Sequence, residues 1–450
     1  MAQSLIRGYR LSPQQKRLWL RQQELAAQFQ VQYAILLEGD IQSDVMSAAL
    51  AEAIERRDAL RTTFNLMPDK NHPVQVIREL ATVSLLEIYS SQSALEQNIE
   101  SALRSHRSMP FDLEQGPVVR FVLHRISDDR HVLVMTASSL CADEGSLHTI
   151  AVDVARCYVA CLSGEEIGRE TPPYVRFSEW QNDLLEGDGE SEGRRFWLDL
   201  GLHTAPPLVL PFEVARPGPF EPACIPMYIA HELGERIRLA AEGCGLALDI
   251  YLLACWQALL WILCGQEEIL VNTLCDGRIY DEMEDGVGLY AKWLPVRCRF
   301  AEDTTFLEAA KAIDEYVSRA SAWQEYFSPD YCLPQGHPLT AGNDQHVIAY
   351  AFEQWPSPRL VGLLRVSALG RFVWTEPFKL KLVCLWADEW RLLEFHYDTV
   401  AYPAEAALQI SNQFVQLVEE VLRKPEAPTR HLDISGKPNA RSGPNPFHGS

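Results

Sequence analysis

The stretch "IYLLACWQALLWILCG", residues 250–265, is 16 residues long and carries Gln257 as an isolated polar side chain. A membrane-spanning helix needs about 20 consecutive apolar residues. A run this short therefore reads as a helix buried in a protein core. Hydrophobic residues make up 47% of the 450-residue chain, enough for packed cores and too many for disorder. A chain of this length exceeds what one core usually supports, so two lobes are expected.

The formal net charge of -21 excludes a general attraction to nucleic acid or to an anionic membrane. The 11 cysteines are scattered, with no CxxC pair and no His/Cys cluster at metal spacing, so neither a disulfide framework nor a metal site is expected. That usage suits a reduced, cytoplasmic compartment. The opening "MAQSLIRGYRLSPQQ" is too polar for a signal peptide, and a soluble protein is expected.

Helical and strand patterns intermingle along the chain, which indicates an α/β fold. "LSPQQKRLWLRQQELAAQF" opens a helix with Ser12 as N-cap and Pro13 at the first helical position. Extended "VQYAILLEG", then "DVMSAALAEAIERRDALRTTF", helical before it turns into a strand, extended "HPVQVIREL" and helical "SALEQNIESALRSHRS" follow. "VVRFVLHRI" and "RHVLVMTAS", joined by "SDDR", read as a hairpin. After "SSLCADEGS", Leu147, Ile150, Ala151, Val154, Tyr158 and Leu162 recur at helical spacing.

These elements assign residues 1–170 to a first lobe. Residues 171–230, rich in Pro, Gly and acidic residues, read as a connector and the start of the second lobe. Residues 231–435 form the second lobe, with helices near 233–244, 247–264 and 305–320, strands "EEILVNTL", "KWLPVRCRF", "FKLKLVCLWA" and "RLLEFHYDT", and a closing helix. Residues 436–450 are polar and read as a flexible tail or linker.

Six blocks, in order, resemble the condensation domains of nonribosomal peptide synthetases. "SPQQKRLWL" is similar to the opening S-x-A-Q-x-R-L-W-x-L of that family, "RRDALRTTF" at 56–64 to R-H-E-x-L-R-T-x-F, and "PFDLEQGPVVRFVLHR" to its F-D-L-x-x-G-P-L-x-R segment. "YVRFSEWQ" with "RRFWLDLG", then "VNTLCDGR", then "GVGLYAKWLPVR" resemble the later blocks, with Lys292 and Trp293 in place of an Asn-Thr pair. The resemblance runs from about Leu11 to about Ile434. It implies two chloramphenicol-acetyltransferase-like lobes in a V-shaped pseudo-dimer, with mixed sheets and a tunnel between the lobes. Carrier proteins would present acyl and aminoacyl thioesters on 4'-phosphopantetheine arms, with no cofactor bound by the domain itself.

The family signature H-H-x-x-x-D-G aligns with "SSLCADE", so Ser138 and Ser139 stand where both histidines would be, Asp143 keeps the aspartate, and Glu144 replaces the glycine ahead of Gly145. A serine hydroxyl cannot accept a proton near neutral pH as imidazole does. Loss of a general base typically costs 10²–10⁴ in rate, although an amine attacking a thioester can still gain from positioning. Ser139 and Ser138 are the candidate catalytic positions, with two small polar space-fillers as the plainer reading. By resemblance, Asp143 holds the loop through an ion pair with Arg61, and Cys141, Glu144, Gly145 and Trp293 are candidates to line the tunnel.

Cys141 lies in an apolar "LCA", where cysteine behaves as a small hydrophobe. His148 reads as a surface or supporting histidine, and His396 with Glu394 as a surface strand pair. Arg56-Arg57 and Arg194-Arg195 stand out in an acidic chain, as solvated faces or docking points for a phosphopantetheine or an acidic carrier. The loop matches neither the D-x-x-x-x-D of heterocyclising members nor the histidine pair of epimerising ones. It shares with the oxygenase-recruiting H-R-x-x-x-D-D members the acidic pair Asp143-Glu144 alone. Two functions follow from the resemblance: a condensation-like domain that binds carrier-tethered thioesters with altered acyl transfer, or a silent docking platform. The partners of either would be carrier proteins, adjacent synthetase domains or a tailoring enzyme acting in trans.

Overall fold

The computed structural model describes residues 8–25, 27–67, 72–79, 83, 85–89, 103–107, 109–165, 167–168, 172–187, 192–202, 207–214, 218, 220–328 and 347–435. The chain divides into two compact units. The first takes Met1–Asp188, Asp276–Ala291 and Pro356–Glu376; the second takes Gly189–Cys275, Lys292–Trp355 and Pro377–Ser450.

The first unit is built on a six-stranded sheet of β1 (Gln30–Glu38), β4 (Leu85–Tyr89), β5 (Val119–Arg125), β6 (Arg130–Ser138), β11 (Arg359–Val361) and β12 (Leu364–Val373), in the order β11-β12-β1-β6-β5-β4. A two-stranded ribbon of β2 (Thr62–Leu66) and β3 (Pro73–Ile77) accompanies it. Residues of β1 alternate between two apolar clusters: Val31, Tyr33, Ile35 and Leu37 join the main core, while Ala34 joins a smaller cluster with Leu103, Val122, Val132 and Val134. The main core is completed by Met46, Ala49, Leu50, Ala53 and Ile54 of helix Ser43–Arg56, and by Leu147, Ile150, Ala151, Val154 and Tyr158 of helix Glu144–Ser163. Helix Pro13–Leu25 is capped as its sequence predicts, with the Gln15 amide donating to Ser12 Oγ at 3.2 Å.

The second unit holds a mixed six-stranded sheet of β7 (Pro222–Ile229), β8 (Glu268–Cys275), β9 (Lys292–Arg299), β10 (Ile348–Gln354), β13 (Leu380–Trp386) and β14 (Arg391–Asp398), in the order β7-β14-β13-β10-β8-β9. The apolar run forms helix Leu248–Cys264, buried from Ile250 through Trp261. It shares a core with helices Phe306–Ala322 and Ala404–Arg423. Gln257 is tolerated there because its Nε2 donates to the Val296 carbonyl at 2.9 Å. Among the described residues, no single helix is long and apolar enough to cross a membrane.

Three features depart from the linear division at residues 170 and 231. Residues 174–186, read as part of the connector, form the helix Tyr174–Glu186 of the first unit, where Phe177 lies 4.7 Å and Tyr174 5.0 Å ring to ring from Tyr290. The segment Asp276–Ala291 returns to the first unit through the same core, bringing Val287, Leu289 and Tyr290. The hairpin β11-β12, which the sequence pattern does not announce, lays β12 antiparallel beside β1. The helix expected over 93–108 lies outside the described residues except at 103–107, which are helical, and the tail at 436–450 lies outside them.

Candidate active-site junction

Strand β6 carries the chain into the junction, and backbone pairing fixes where it stops. Ser138 donates its amide to the Val118 carbonyl at 2.9 Å, and Ser139 donates to Phe29 at 3.1 Å. The Cys141 amide then closes a turn on the Ser138 carbonyl at 2.9 Å. Asp143 is the N-cap of helix Glu144–Ser163, forming a reciprocal cap with Ser146. The sequence "SSLCADEGS" is thus a strand end, a turn and a capped helix start.

Asp143 is the electrostatic centre of this junction. Its Oδ1 accepts from Ser146 N at 2.9 Å, Ser146 Oγ at 2.7 Å and Arg278 Nη2 at 2.8 Å. Its Oδ2 accepts from Tyr290 N at 2.8 Å, Ala291 N at 2.9 Å and Arg278 Nη1 at 3.2 Å. Burial pushes the carboxyl toward its neutral form, but the charge of Arg278 and the converging donors outweigh burial and hold its pKa below the ordinary value. The side chains of Arg278 and Asp143 are only 4% and 1% exposed.

The expected Arg61 partnership is corrected. Arg61 pairs with Asp58 and donates to the Arg78 carbonyl. The reason is local: Asp58 and Arg61 stand three residues apart on the single turn Asp58–Arg61, so the guanidinium closes on its own turn. Arg278 takes its place at Asp143, positioned by Gly277, whose φ of +77° turns the chain at the end of β8. The signal was in the quoted "CDGR", a Gly-Arg step in an acidic context.

Both serines are buried, with each hydroxyl hydrogen-bonded to the backbone. Ser139 is 0% exposed and its hydroxyl donates to the Trp374 carbonyl at 2.8 Å. That carbonyl follows β12, and the Trp374 ring stacks on Phe29 at 4.8 Å. A carbonyl oxygen accepts a hydrogen bond but does not take up a proton at neutral pH, so this arrangement does not activate the hydroxyl. Ser138 is 1% exposed, and its Oγ accepts from the Leu140 amide at 3.3 Å. Ser139→Ala therefore removes one neutral hydrogen bond, and urea unfolding should show a loss of about 0.5–1.5 kcal/mol.

The other candidates divide between the two units. Cys141 is buried, and burial pushes its thiol pKa well up, which makes it inert as a nucleophile. Glu144 forms an ion pair with Arg371 of β12 at 2.7 Å. Gly145 is where a Cβ would lie 2.7 Å from Arg278 Nη1 and 3.0 Å from Asp276 Oδ1, so glycine leaves room for the Asp143–Arg278 pair. His148 is half-buried, and burial followed by the charge of Arg359 lowers its pKa. Trp293 belongs to the second unit, on β9 opposite Leu274 of β8. Its neighbour Lys292 is buried against Glu325 at 2.6 Å, and burial lowers the lysine's pKa.

Of the basic pairs, Arg57 is committed to Asp153 at 2.5 Å, and Arg56 donates to the Ile167 and Gly168 carbonyls at 2.6 and 2.5 Å. Arg278, Arg371 and Trp374 are the residues of this junction that sequence reasoning did not assign. Among the described residues, no group of three or more His, Cys, Asp or Glu side chains is arranged to hold a metal ion.

Comparison with known proteins agrees with this construction. The chain is 25% identical over 430 residues to surfactin synthase subunit 2 of Bacillus subtilis (strain 168), an alignment covering 94% of this chain and 12% of that subunit. It is similar in structure to the condensation domain of the monacolin K polyketide synthase MokA, with a TM-score of 0.83, 16% identity and coverage of 94% and 98% of the two chains. A complex of the X-domain and OxyB from teicoplanin biosynthesis contains a chain of TM-score 0.79 and 23% identity, covering 96% of this chain and 97% of that one. The condensation-domain model matches residues 6–441, and with the fold and the strand-junction-helix now in place, the chain belongs to the condensation-domain family.

Proposed function

We propose that this chain is a condensation-fold module of nonribosomal peptide synthesis that does not itself form the amide bond, and that it serves as a docking platform for a carrier protein or a tailoring enzyme acting in trans. The observation that carries the reading is the state of Ser139, which the sequence resemblance aligns with the family's second histidine: it is buried and its hydroxyl donates to the Trp374 carbonyl. Removing a general base costs on the order of 10²–10⁴ in rate. The scaffold around it is kept, with Asp143 fully bonded and the helix cap intact. Retention of the fold together with loss of the proton acceptor suits binding better than turnover.

A structurally similar X-domain is described in complex with OxyB, and that precedent supports recruitment as a use for this fold. In that case the chain would bind its partner through folded surfaces, while thioesters on 4'-phosphopantetheine arms pass through unchanged.

The test is intact-protein mass spectrometry of an aminoacyl-loaded donor carrier and an aminoacyl-loaded acceptor carrier, incubated with the chain, with Ser139→Ala and without protein. The expected result is identical carrier masses in all three, with the chain retained by an immobilised carrier or tailoring enzyme from its own assembly line. Acyl transfer that requires the chain and falls in Ser139→Ala would establish a histidine-free acyltransferase and sink the platform reading.

A further inference from the structure

The end of β6 opposite Ser138 carries a second charged cluster. His131 stands directly across the ladder from Arg125 of β5 and is 0% exposed. Arg125 acts as a hub there. Its Nε donates to Glu87 Oε2 of β4 at 2.8 Å, Nη1 to the Ile41 carbonyl at 3.2 Å, and Nη2 to the same carbonyl at 3.2 Å and to Ser43 Oγ at 2.7 Å. The remaining hydrogen, on Nη1, goes to His131 Nε2 at 3.0 Å. All five guanidinium hydrogens are thereby placed. One side chain thus joins β5 to the edge strand β4 and to the start of helix Ser43–Arg56.

A guanidinium has donors and no acceptor, so His131 Nε2 presents its lone pair to Arg125 and the hydrogen of the neutral ring sits on Nδ1. A proton added at Nε2 would set two N–H groups against each other and place two cations at hydrogen-bond distance in a buried site. Three carboxylates act on the imidazole in the opposite sense: Glu87 from β4, Asp40 from the stretch after β1, and Asp129 from the connection between β5 and β6. Helix Glu144–Ser163 contributes an uncharged group, Tyr158, whose hydroxyl donates to the Asp40 carbonyl at 3.1 Å. Burial, and then Arg125, outweigh the carboxylates and hold the His131 pKa below its ordinary value of 6.5. The Arg125 hydrogen bond also lowers the pKa of Glu87, which keeps its charge through this range.

We propose that His131 and Arg125 form a proton-operated clamp, in which uptake of one proton by His131 releases β4 and the start of helix Ser43–Arg56 from the first sheet. The proton enters at Nε2, the hydrogen bond from Arg125 breaks, and the two cations separate. The contacts of Arg125 with Glu87, Ile41 and Ser43 loosen together, because one side chain makes them all. The closed form binds fewer protons than the open one, so the clamp contributes in full well above pH 6.5 and is lost as the pH falls through 6.5 toward the lower folded value. Leu86 and Tyr89 of β4 are 53% and 83% exposed, so the proton sets the stability of a sheet edge that carries apolar side chains.

The test is native hydrogen–deuterium exchange of the whole chain near pH 7.5 and near pH 5.5, read by mass spectrometry and corrected for the intrinsic effect of pH on amide exchange. An open form with an ordinary imidazole gains about tenfold in population from protonation at the lower pH, so protection over residues 41–46 and 85–89 should fall by up to about tenfold. In His131→Gln, whose side-chain oxygen accepts from Arg125 without titrating, both segments should keep the same protection at the two pH values. A wild-type change under about twofold, or the same fall in a folded His131→Gln, would overturn the proposal. An equal fall over helix Leu248–Cys264 would mean general acid unfolding and count against it as well. If His131→Gln does not fold, Arg125→Gln carries the test: the imidazolium then meets no second cation, so the pH-dependent loss should vanish, and its persistence would count against the clamp.

Discussion

Asp143→Ala should lower the unfolding free energy by about 3–5 kcal/mol, the cost of removing one partner from a buried ion pair and leaving the other charged. The loss reaches further than one pair. Asp143 gathers the amides of Ser146, Tyr290 and Ala291 as well as the guanidinium of Arg278, so the substitution strands donors from two separate stretches of the first unit, helix Glu144–Ser163 and the segment Asp276–Ala291. Urea unfolding monitored in the near-ultraviolet reads the change, and Arg278→Met provides the complementary cycle. In the double variant part of the cost should be recovered, because neither charge is then buried without its partner.

The pH dependence has a defined sign. The folded carboxyl sits below its ordinary value of 3.8, so its contribution is present in full well above that pH. It is lost as the pH falls through 3.8 and then through the lower folded value, and wild type should approach Asp143→Ala there. A cost under about 1 kcal/mol near neutral pH would show that the loop is held by its backbone alone.

The parts legible in the sequence are those whose signal is local. The strand before Ser138, the capped helix after Asp143, the hairpin of β5 and β6, and the buried helix around Gln257 all follow from periodicity, caps and turns within a short window. What escaped reading depends on contacts far apart in the chain. Strand β12, "LRVSALGRFV", is mostly half-exposed and has no strict alternation, and its pairing partner Tyr33 for Arg371 lies in the first tenth of the chain. Missing β12 meant missing Arg371 and Trp374, and with them the fate of Glu144 and Ser139. The partner that the resemblance implies for Asp143, Arg61, is instead satisfied by a local aspartate, while Arg278 arrives from 135 residues away.

Gly277→Ala should disrupt the same junction from the other side. Gly277 sits at φ +77°, where a non-glycine residue costs about 1–3 kcal/mol in backbone strain. A Cβ there would also stand 2.1 Å from the Tyr290 carbonyl oxygen, which is backbone and cannot swing aside as a side-chain end can. The carbonyl belongs to the residue whose amide is bonded to Asp143 Oδ2, and the glycine immediately precedes Arg278. One methyl group therefore moves a donor and threatens the counter-ion of Asp143 together. Gly164→Ala is the control: its φ is +71°, but nothing lies within 4 Å of the added carbon, so it should show the backbone cost alone. Gly277→Ala should unfold at clearly lower urea than Gly164→Ala, and equal midpoints would mean that the 276–291 segment yields without cost. A large difference would mean that Asp143, Arg278 and Gly277 act as one structural unit. That unit holds the strand end that carries Ser138 and Ser139 against the start of helix Glu144–Ser163.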